Sequence, residues 1–203
     1  MHLKETLEAY QKNDPAARSK WEVLLLYNGL HAIICYRISH WLWKHRCRFL
    51  ARLLSQIAKW LPGVEIHPAA TIGRRLVIDH GTGIVVGATT EIRDDCLIYQ
   101  RVTLGCTGFM EGKRHPTLGN NVMIGSGAKV LGPIKIGDNA RGAANSVVLR
   151  EVPENSTVVG IPGRIVTING EKTDHIHTPD PIAAELAALR ERIETLEKLL
   201  EEK

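Results

Sequence analysis

The amino-acid sequence predicts an α+β fold: a parallel β-helix, preceded by an α-helical domain and followed by a coiled-coil helix. Three successive patterns support this prediction. Apolar residues recur at three- and four-residue steps up to residue 62, at six-residue steps from residue 63, and in heptads from residue 182. We therefore expect a helical domain over 1–62, a β-helix over 63–168, a linker over 169–181 and a coiled-coil helix over 182–203.

The N-terminal segment is predicted to be helical by the spacing of its aliphatic residues, and the sequence LPG at 61–63 ends the pattern. Its apolar stretch, 21–43, is interrupted by polar and charged residues and predicts no membrane span. Aromatic residues at helical spacing most often belong to a core. We therefore expect the four tryptophans to be buried: Trp21, Trp41, Trp43 and Trp60.

From residue 63 onward the sequence repeats every six residues. Positions six apart rotate around an α-helix and cannot share one face of it, so the repeat excludes an amphipathic helix. Short strands joined by tight corners, with three hexads to a coil, are typical of a parallel β-helix. The residues predicted to lead the hexads and point inward are Ile66, Ile72, Ile78, Ile84, Val86, Ile92, Ile98, Leu104, Leu118, Ile124, Val130, Ile136, Gly142 and Val148.

The repeat is interrupted between Leu104 and Leu118, where eight additional residues predict a loop. A long loop that leaves a rigid solenoid is a typical place for function. After this loop the hexads resume, and residues 153–166 are predicted to close the β-helix as an irregular strand. The loop includes Cys106, Thr107, Lys113, Arg114 and His115.

The last segment has the apolar spacing of a coiled coil. Its seam residues follow a 4-3-4-3-4 spacing, with charged residues between them. The alternative is an amphipathic helix that packs on its own subunit. The seam residues are Ile182, Leu186, Leu189, Ile193, Leu196 and Leu200.

Composition and charge exclude several classes of function. The 26 Lys and Arg against 22 Asp and Glu give a net charge of +4, too small and scattered to predict a nucleic-acid surface. No secretory signal is visible, and a reducing cytoplasm is the expected compartment. The cysteines show no CxxC spacing, so neither a zinc ribbon nor a disulfide framework is predicted: Cys35, Cys47, Cys96 and Cys106.

Two histidines of the repeat are candidates for chemistry. His80 directly follows Asp79 in IDHGTG, and His115 directly follows Arg114 in the loop. A neutral imidazole can take a proton from a hydroxyl, and an arginine can hold a carboxylate through two hydrogen bonds. These residues suit a small hydroxy acid, with a structural or surface role for His80 as the alternative. His67, at the second position of a hexad, is expected to face outward.

The run from residue 63 to residue 166 resembles the serine O-acetyltransferases of bacteria and plants, which belong to the hexapeptide-repeat acyltransferase superfamily. The matching motifs are GVEIHPAATIGRR, IDHGTGIVVG, TLGCTG, KRHPT, VMIGSGAKVLG and STVVGIPGRIV, with DPA and YRISHWLW before them. The resemblance covers about residues 10 to 168. It implies a left-handed β-helix and transfer of an acetyl group from acetyl-CoA to the hydroxyl of L-serine. The product, O-acetyl-L-serine, serves cysteine biosynthesis.

The resemblance also implies roles for individual residues. His80 matches the general base of the family. Glu65 falls where many members carry the aspartate that orients this base, and it keeps the carboxylate with one more methylene. Asp14 and Asp79 match carboxylates that face the ammonium group of the substrate. No metal and no permanently bound cofactor are expected, since acetyl-CoA is a co-substrate.

Arg114 and His115 match the pair that faces the carboxylate and hydroxyl of the substrate. Cys106 replaces the second glycine of the family's TLGGTG, and we expect its thiol to be a spectator rather than a nucleophile. The residues that match the family's CoA groove are Gly105, Cys106, Thr107, Gly125, Ser126 and Ala144.

The resemblance implies an oligomer with active sites between adjacent subunits. The N-terminal helical region is shorter than in long members, whose extra helices pair two trimers, so we expect a homotrimer, with a hexamer as the alternative. The coiled coil would lie along the threefold axis. L-cysteine is a common feedback inhibitor in the family. The C-terminal EEK differs from the isoleucine that docks into O-acetylserine sulfhydrylase, so that complex is not expected.

Two other enzyme classes share features with this sequence. Another hexapeptide O-acetyltransferase, acting on homoserine, a sugar or an antibiotic, explains the repeat but not Asp14, Asp79 and Arg114 together. An enzyme like the γ-class carbonic anhydrases shares the left-handed β-helix but needs three histidine ligands for zinc. Only two histidines of the solenoid are suitably placed. A non-enzymatic scaffold would leave the Arg-His loop without a role.

Overall fold

A computed structural model describes residues 3–109, 111–173, 189–190 and 192–193. Within these ranges, four α-helices come first: α1 (Leu3–Asn13), α2 (Lys20–Leu26), α3 (Asn28–Lys44) and α4 (Arg48–Trp60). The predicted helical character of the N-terminal segment is confirmed. No helix in the described part of the chain is both long enough and apolar enough to cross a membrane.

Short strands follow the helices, most of them two or three residues long. In the described residues they are β1 (Val64–Ile66), β2 (Thr71–Ile72), β3 (Val77–Asp79), β4 (Ile84–Val86), β5 (Glu91–Ile92), β6 (Leu97–Tyr99), β7 (Thr103–Gly105), β8 (Thr117–Leu118), β9 (Met123–Ile124), β10 (Lys129–Leu131), β11 (Lys135–Ile136), β12 (Arg141–Gly142), β13 (Val147–Val148), β14 (Ser156–Val159), β15 (Arg164–Ile168) and β16 (Glu171–Lys172).

The strands form three sheets, which are the faces of a left-handed parallel β-helix of about five coils. Face A contains β1, β4, β7, β10 and β13 in this order, and face B contains β2, β5, β8 and β11. Face C contains β3, β6, β9, β12 and β14, followed by β15 and β16. Each of the first four coils contributes one strand to each face, and the fifth contributes β13, β14 and an isolated bridge at Val152. The fold predicted from the six-residue repeat is confirmed.

The distance along the chain between paired strands gives the length of each coil. Paired residues of β4 and β7 are eighteen positions apart, as are those of β10 and β13, which is three hexads. Paired residues of β1 and β4 are twenty positions apart, and those of β7 and β10 are twenty-six apart. The first coil therefore has two additional residues, between β3 and β4, and the third has the eight predicted between β7 and β8.

The interior of the β-helix is filled by the predicted lead residues of the hexads. All are buried, and the most exposed of them, Ile72, retains only 6% of its accessible surface. Burying an aliphatic side chain contributes about 1.5–3 kcal/mol, so this column of residues is the main source of stability. Thr82 is exposed because it lies in the additional corner between β3 and β4.

Helices α1, α3 and α4 cap the N-terminal end of the β-helix. Main-chain N–H groups on the faces, such as those of Thr71 and Gly73, donate to carbonyls of the next coil, so the equivalent carbonyls of the first coil have no preceding coil to bond. Unpaired buried carbonyls are costly, and helix side chains donate to them instead. The bonds are Tyr10 to Ile78 O (3.2 Å), Tyr36 to Ala70 O (2.7 Å), Arg37 to Ile72 O (2.6 Å), His40 to Pro68 O (2.8 Å) and Ser55 to Ile66 O (2.8 Å).

The expectation that the tryptophans are core residues is wrong for three of the four. Helix α4 packs on β1 through small residues, Ala51, Ser55 and Ala58, which allow the helix to approach the strand closely. Periodicity predicts that a helix has two faces, but it does not show that the small-residue face is the buried one. In the protomer the exposed fractions are 86% for Trp60, 73% for Trp21 and 58% for Trp41.

The end of the β-helix is a short antiparallel sheet. Strand β14 continues face C in parallel with β12, and β15 and β16 then add antiparallel. The predicted closing strand is therefore a meander, and β16 lies in the first residues of the predicted linker. The predicted coiled coil at 182–203 lies outside the described residues, apart from the helical positions 189–190 and 192–193.

Candidate active site

The two additional residues of the first coil form the corner that carries His80. This corner, residues 79–83, joins the end of β3 on face C to the start of β4 on face A. His80 adopts a left-handed conformation with φ 57°, and Gly81 and Gly83 follow with φ 66° and 78°. Glycine adopts such angles without steric cost, so the sequence HGTG permits the corner to bulge outward.

The main chain of this corner is held by the helical domain. The Asn28 side chain, at the start of α3, donates to the carbonyl of His80 (3.0 Å) and to that of Pro62 (3.2 Å). The Tyr10 hydroxyl bonds both the N–H and the carbonyl of Ile78, each at 3.2 Å. The imidazole of His80, by contrast, is 70% exposed. The corner thus presents an accessible imidazole from a fixed backbone.

The two carboxylates assigned to the substrate ammonium are Asp79, the first residue of this corner, and Asp14, in the segment after α1. Asp14 accepts hydrogen bonds from the Tyr27 hydroxyl (2.5 Å) and from the N–H of Ala16 (2.8 Å). The bond to Asp14 raises the pKa of Tyr27 to about 12, with smaller contributions from burial and from the negative charges of Asp14, Glu22 and Asp79. The carboxylate of Asp79 lies 3.9 Å from Nδ1 of His80. The charges of Asp14 and Asp79 thus both act on the Tyr27 hydroxyl.

Glu65 lies on face A, at the outward position of β1 between two buried residues. Its carboxylate forms an ion pair with Nζ of Lys59 at 2.9 Å. The carboxylate within 4 Å of the His80 imidazole is that of Asp79, not that of Glu65. The structure thus places Glu65 next to the last turn of α4.

Arg114 and His115 lie in the eight-residue loop, where it returns to β8. His115 is buried, with 7% of its surface exposed, and its ring rests against Gly87. The main-chain N–H of Thr89 donates to Nδ1 of His115 (3.2 Å), and the Thr89 hydroxyl lies 2.8 Å from the same nitrogen. Burial, and secondly the positive charges of Arg114 and Lys113, lower the pKa of His115.

The residues that match the CoA groove fall into two groups. Gly125, Ser126 and Ala144 lie at the corners between faces C and A, the same edge as His80. Ser126 and His80 line one cavity of about 480 Å³, together with Thr82, Gln100, Arg101, Gly127 and Asn145. A Cβ at Gly125 would lie 2.7 Å from the main-chain nitrogen of Ala144, so this wall has no room for a side chain.

The second group, Gly105, Cys106 and Thr107, begins the loop at the opposite edge of face A. The Gly105 carbonyl accepts a hydrogen bond from the N–H of Gly132 in the next coil (3.1 Å). Cys106 is exposed and lines a cavity of about 690 Å³ with Gly108, Phe109, Glu111 and Arg114. Ser126 and Cys106, one residue from each group, therefore line different cavities of the protomer.

His67 is not the outward-facing residue that its position in the hexad predicts. It is half-buried, its Nδ1 accepts from the N–H of Ala69 (3.0 Å), and its ring packs edge-on against Trp43. Burial is the main cause that lowers the pKa of His67 to about 4, followed by the charges of Arg52, His115 and Arg114. Helix packing against the first coil explains this burial, and the repeat alone does not predict it.

Comparison with known proteins identifies the family. The model described as bacterial transferase hexapeptide (six repeats) matches residues 115–150. The chain is 53% identical to the serine acetyltransferase of Synechococcus elongatus over 193 residues, which are 94% of this chain and 79% of that protein. It is 50% identical to the Bacillus subtilis serine acetyltransferase, over 99% of this chain and 94% of that protein. This chain belongs to the serine acetyltransferase family.

Solved serine acetyltransferases share the fold. The Neisseria gonorrhoeae enzyme in complex with serine is 41% identical, with a TM-score of 0.79 over 81% of this chain and 67% of its own. The Brucella abortus enzyme in complex with coenzyme A is 41% identical, with a TM-score of 0.81 over 84% and 68%. A complex with cysteine is 46% identical, with a TM-score of 0.81 over 83% and 65%. This chain spans about two thirds of their length.

In this member of the serine acetyltransferase family, sequence reasoning missed two residues that hold the Arg-His pair. Gly87 follows the lead residue of its hexad, and Thr89 stands two positions later. Neither residue departs from the repeat, so the pattern does not mark them as functional. Their contact with His115 depends on how the loop returns, some 26 residues further along the chain. An isolated glycine directly after an apolar strand was the available signal, since it often marks a close approach.

Proposed function

We propose that this chain is a serine O-acetyltransferase that moves the acetyl group of acetyl-CoA to the hydroxyl of L-serine. The products are O-acetyl-L-serine and CoA. The observation that carries the proposal is the corner at residues 79–83, where an exposed imidazole stands on a fixed backbone with the Asp79 carboxylate 3.9 Å from its Nδ1. Membership of the family supports it, as do the related structures that hold serine and coenzyme A.

In this proposal His80 is the general base. Its neutral imidazole takes the proton of the serine hydroxyl while the hydroxyl oxygen attacks the thioester carbonyl carbon. The new C–O bond forms, the C–S bond then breaks, and the imidazolium returns the proton to the departing CoA thiolate. The exposure of the side chain lets a substrate hydroxyl reach the ring.

Glu65 is proposed to stabilise the imidazolium that forms during the reaction, as an orienting carboxylate does in other acyl-transfer sites. Because Glu65 forms an ion pair with Lys59, this role requires the Glu65 carboxylate to leave the Lys59 ammonium and bind the His80 imidazole. Asp79, 3.9 Å from Nδ1 of His80, is the competing partner. If Glu65 stabilises the imidazolium, Glu65→Gln lowers kcat and leaves the KM for serine nearly unchanged.

The charged groups of serine are assigned to the two edges of face A. Asp14 and Asp79 supply the negative charge that suits the ammonium group. Arg114 suits the carboxylate, since a guanidinium can hold both of its oxygens. His115 faces the carboxylate and hydroxyl side of the substrate. The result is recognition of a zwitterion, which a sugar acceptor does not offer.

A homotrimer is proposed because the two halves of the site are separated in one chain. His80 precedes β4 and Thr89, which binds His115, follows it. Three strand residues span about 10 Å, so the two corners lie at opposite edges of face A. Closed threefold packing brings the His80 edge of one subunit to the Arg114 edge of the next. The two groups of CoA-groove residues, which are divided in the same way, then border one groove.

The proposed setting is cysteine biosynthesis in the cytoplasm. L-cysteine, which differs from L-serine only in its thiol, is proposed as an inhibitor that competes for the serine site, and the related structure with cysteine supports this. A dimer of trimers is the alternative assembly. We do not propose a complex with O-acetylserine sulfhydrylase.

The test is release of CoA from acetyl-CoA by the native chain, with L-serine, L-homoserine and a simple sugar as separate acceptors. The proposal predicts release that depends on L-serine and is lost in His80→Ala. The sedimentation coefficient of the native chain measures the assembly in the same preparation. Release with the sugar and not with serine would overturn the assigned acceptor, and full activity of His80→Ala would overturn the assigned base.

A further inference from the structure

Thr89 holds the His115 end of the loop through both its side chain and its main chain. Its hydroxyl oxygen accepts hydrogen bonds from the N–H groups of Arg114 (3.0 Å) and His115 (3.1 Å). With both of its acceptor positions used, the hydroxyl has its proton left to donate, and Nδ1 of His115 lies 2.8 Å away. Thr89 therefore holds the main chain of Arg114 and His115 and also the ring of His115.

The same contacts decide which ring nitrogen of His115 carries the proton. The main-chain N–H of Thr89 points at Nδ1 at 3.2 Å. This donor cannot reverse its role, so Nδ1 must be the acceptor, and the proton of the neutral ring lies on Nε2. A ring protonated on both nitrogens would turn Nδ1 into a donor facing a donor.

We propose that Thr89 is a positioning residue that makes His115 a hydrogen-bond donor, through Nε2–H, to an oxygen of the acceptor substrate. The inference rests on the proposed function, because it assumes that the Arg-His pair faces the substrate. It deepens that function by assigning a direction to one hydrogen bond. A donor at this position favours acceptors that offer a carboxylate or hydroxyl oxygen.

The surroundings of the ring keep it in this state. His115 is 7% exposed, and the positive groups near it are Lys113 and Arg114 on its own loop. Both burial and these charges favour the neutral imidazole. Lys113 also ties the loop to the Thr89 corner, since its Nζ donates to the carbonyl of Thr89 (2.8 Å) and pairs with Glu91 (2.9 Å).

The experiment compares two variants of Thr89 with a matched control. Thr89→Val has nearly the same shape but no hydroxyl, whereas Thr89→Ser keeps the hydroxyl. The neighbouring Thr90→Val is the control, because Thr90 is buried and its hydroxyl makes no hydrogen bond among the described residues. Thr89→Val removes all three contacts of the hydroxyl. We expect it to raise the KM for serine at least roughly tenfold, the effect of losing the bond to Nδ1 of His115 alone. Its KM for acetyl-CoA should stay within about twofold, and Thr89→Ser and Thr90→Val should resemble the native chain.

A second readout does not require turnover. Nitrogen-15 NMR of the labelled native chain, with the His115 resonances assigned from a His115→Asn variant, should show a protonated Nε2 and an unprotonated Nδ1. Thr89→Val keeps the main-chain N–H that points at Nδ1, so Nδ1 should stay unprotonated, while its shift should change because the hydroxyl hydrogen bond is lost. A native ring protonated on Nδ1, or an unchanged serine KM in folded Thr89→Val, would overturn the inference. Absence of serine-dependent turnover in the native chain would instead overturn the proposed function, while the NMR result still decides the tautomer.

Discussion

Gly87→Ala is expected to displace His115 and weaken serine binding. A Cβ on residue 87 would lie 1.9 Å from Cδ2 and 2.1 Å from Nε2 of the His115 ring. Carbon atoms prefer separations of about 3.5–4.0 Å, so the ring must move by roughly 1.5–2 Å. This movement takes Nδ1 out of reach of both donors of Thr89, which lie at 2.8 and 3.2 Å.

The magnitude follows from the bonds that are lost. Two hydrogen bonds at about 1 kcal/mol each give roughly 2 kcal/mol, or about a 30-fold increase in the KM for serine if the displaced ring no longer meets the substrate. The KM for acetyl-CoA should change much less. Steady-state kinetics with each substrate varied in turn provides the assay.

Gly73→Ala is the matched control for this prediction. Gly73 also follows a lead residue, and its added Cβ would meet Oδ1 of Asp94 and the main-chain carbon of Arg93 within 3 Å. Both variants should therefore lower the melting temperature, but Gly73→Ala should leave the KM for serine near the native value. An equal rise of the serine KM in both variants, or none in Gly87→Ala, would refute the reasoning.

Three further predictions concern the helical domain and its contacts with the first coil. Asn28→Ala removes the hydrogen bonds to the carbonyls of His80 and Pro62. The melting temperature should therefore fall, and kcat should fall roughly tenfold; an unchanged kcat would contradict the assigned support. Tyr36→Phe leaves the carbonyl of Ala70 unpaired and should lower the free energy of unfolding by about 1–3 kcal/mol in urea titrations, whereas no loss would mean that water replaces the hydroxyl. The fold lowers the pKa of His67 to about 4, so the free energy of unfolding should decrease as the pH falls from about 6.5 towards 4. His67→Asn, which keeps an acceptor near the position of Nδ1, should remove part of this decrease. An identical pH profile in the variant would contradict the prediction.

The six-residue repeat was sufficient to predict the β-helix and its irregularities. The gap between Leu104 and Leu118 gave the loop. The hexad frame shifts by two residues between Ile84 and Val86, but the structure places the two additional residues before Ile84, in the corner that carries His80. Both are visible in sequence because strand register in a solenoid is set by buried side chains that recur at fixed steps. The family and fold predicted from the motifs are confirmed by the relatives and by the solved structures.

The contacts between elements were much less predictable. Trp60 was expected in the core, because periodicity indicates a helix with two faces and not which one meets a neighbour. The ion pair of Glu65 with Lys59 depends on how the end of α4 lies across β1. Likewise, the bonds between Thr89 and His115 form only when the loop folds back. These contacts depend on how the elements pack together, and the spacing of residue types along the sequence does not predict that packing.

The most direct test of the account is complementation between two inactive variants. His80→Ala and Arg114→Ala should each lose serine-dependent CoA release. When the two are unfolded together, mixed in equal amounts and refolded, random assortment around a threefold ring should place an intact His80 beside an intact Arg114 at about a quarter of the interfaces. The account predicts that about this fraction of the native activity returns, while each variant refolded alone stays inactive. Failure of the mixture to regain activity, in a preparation where the native chain refolds to full activity, would contradict a site shared between subunits.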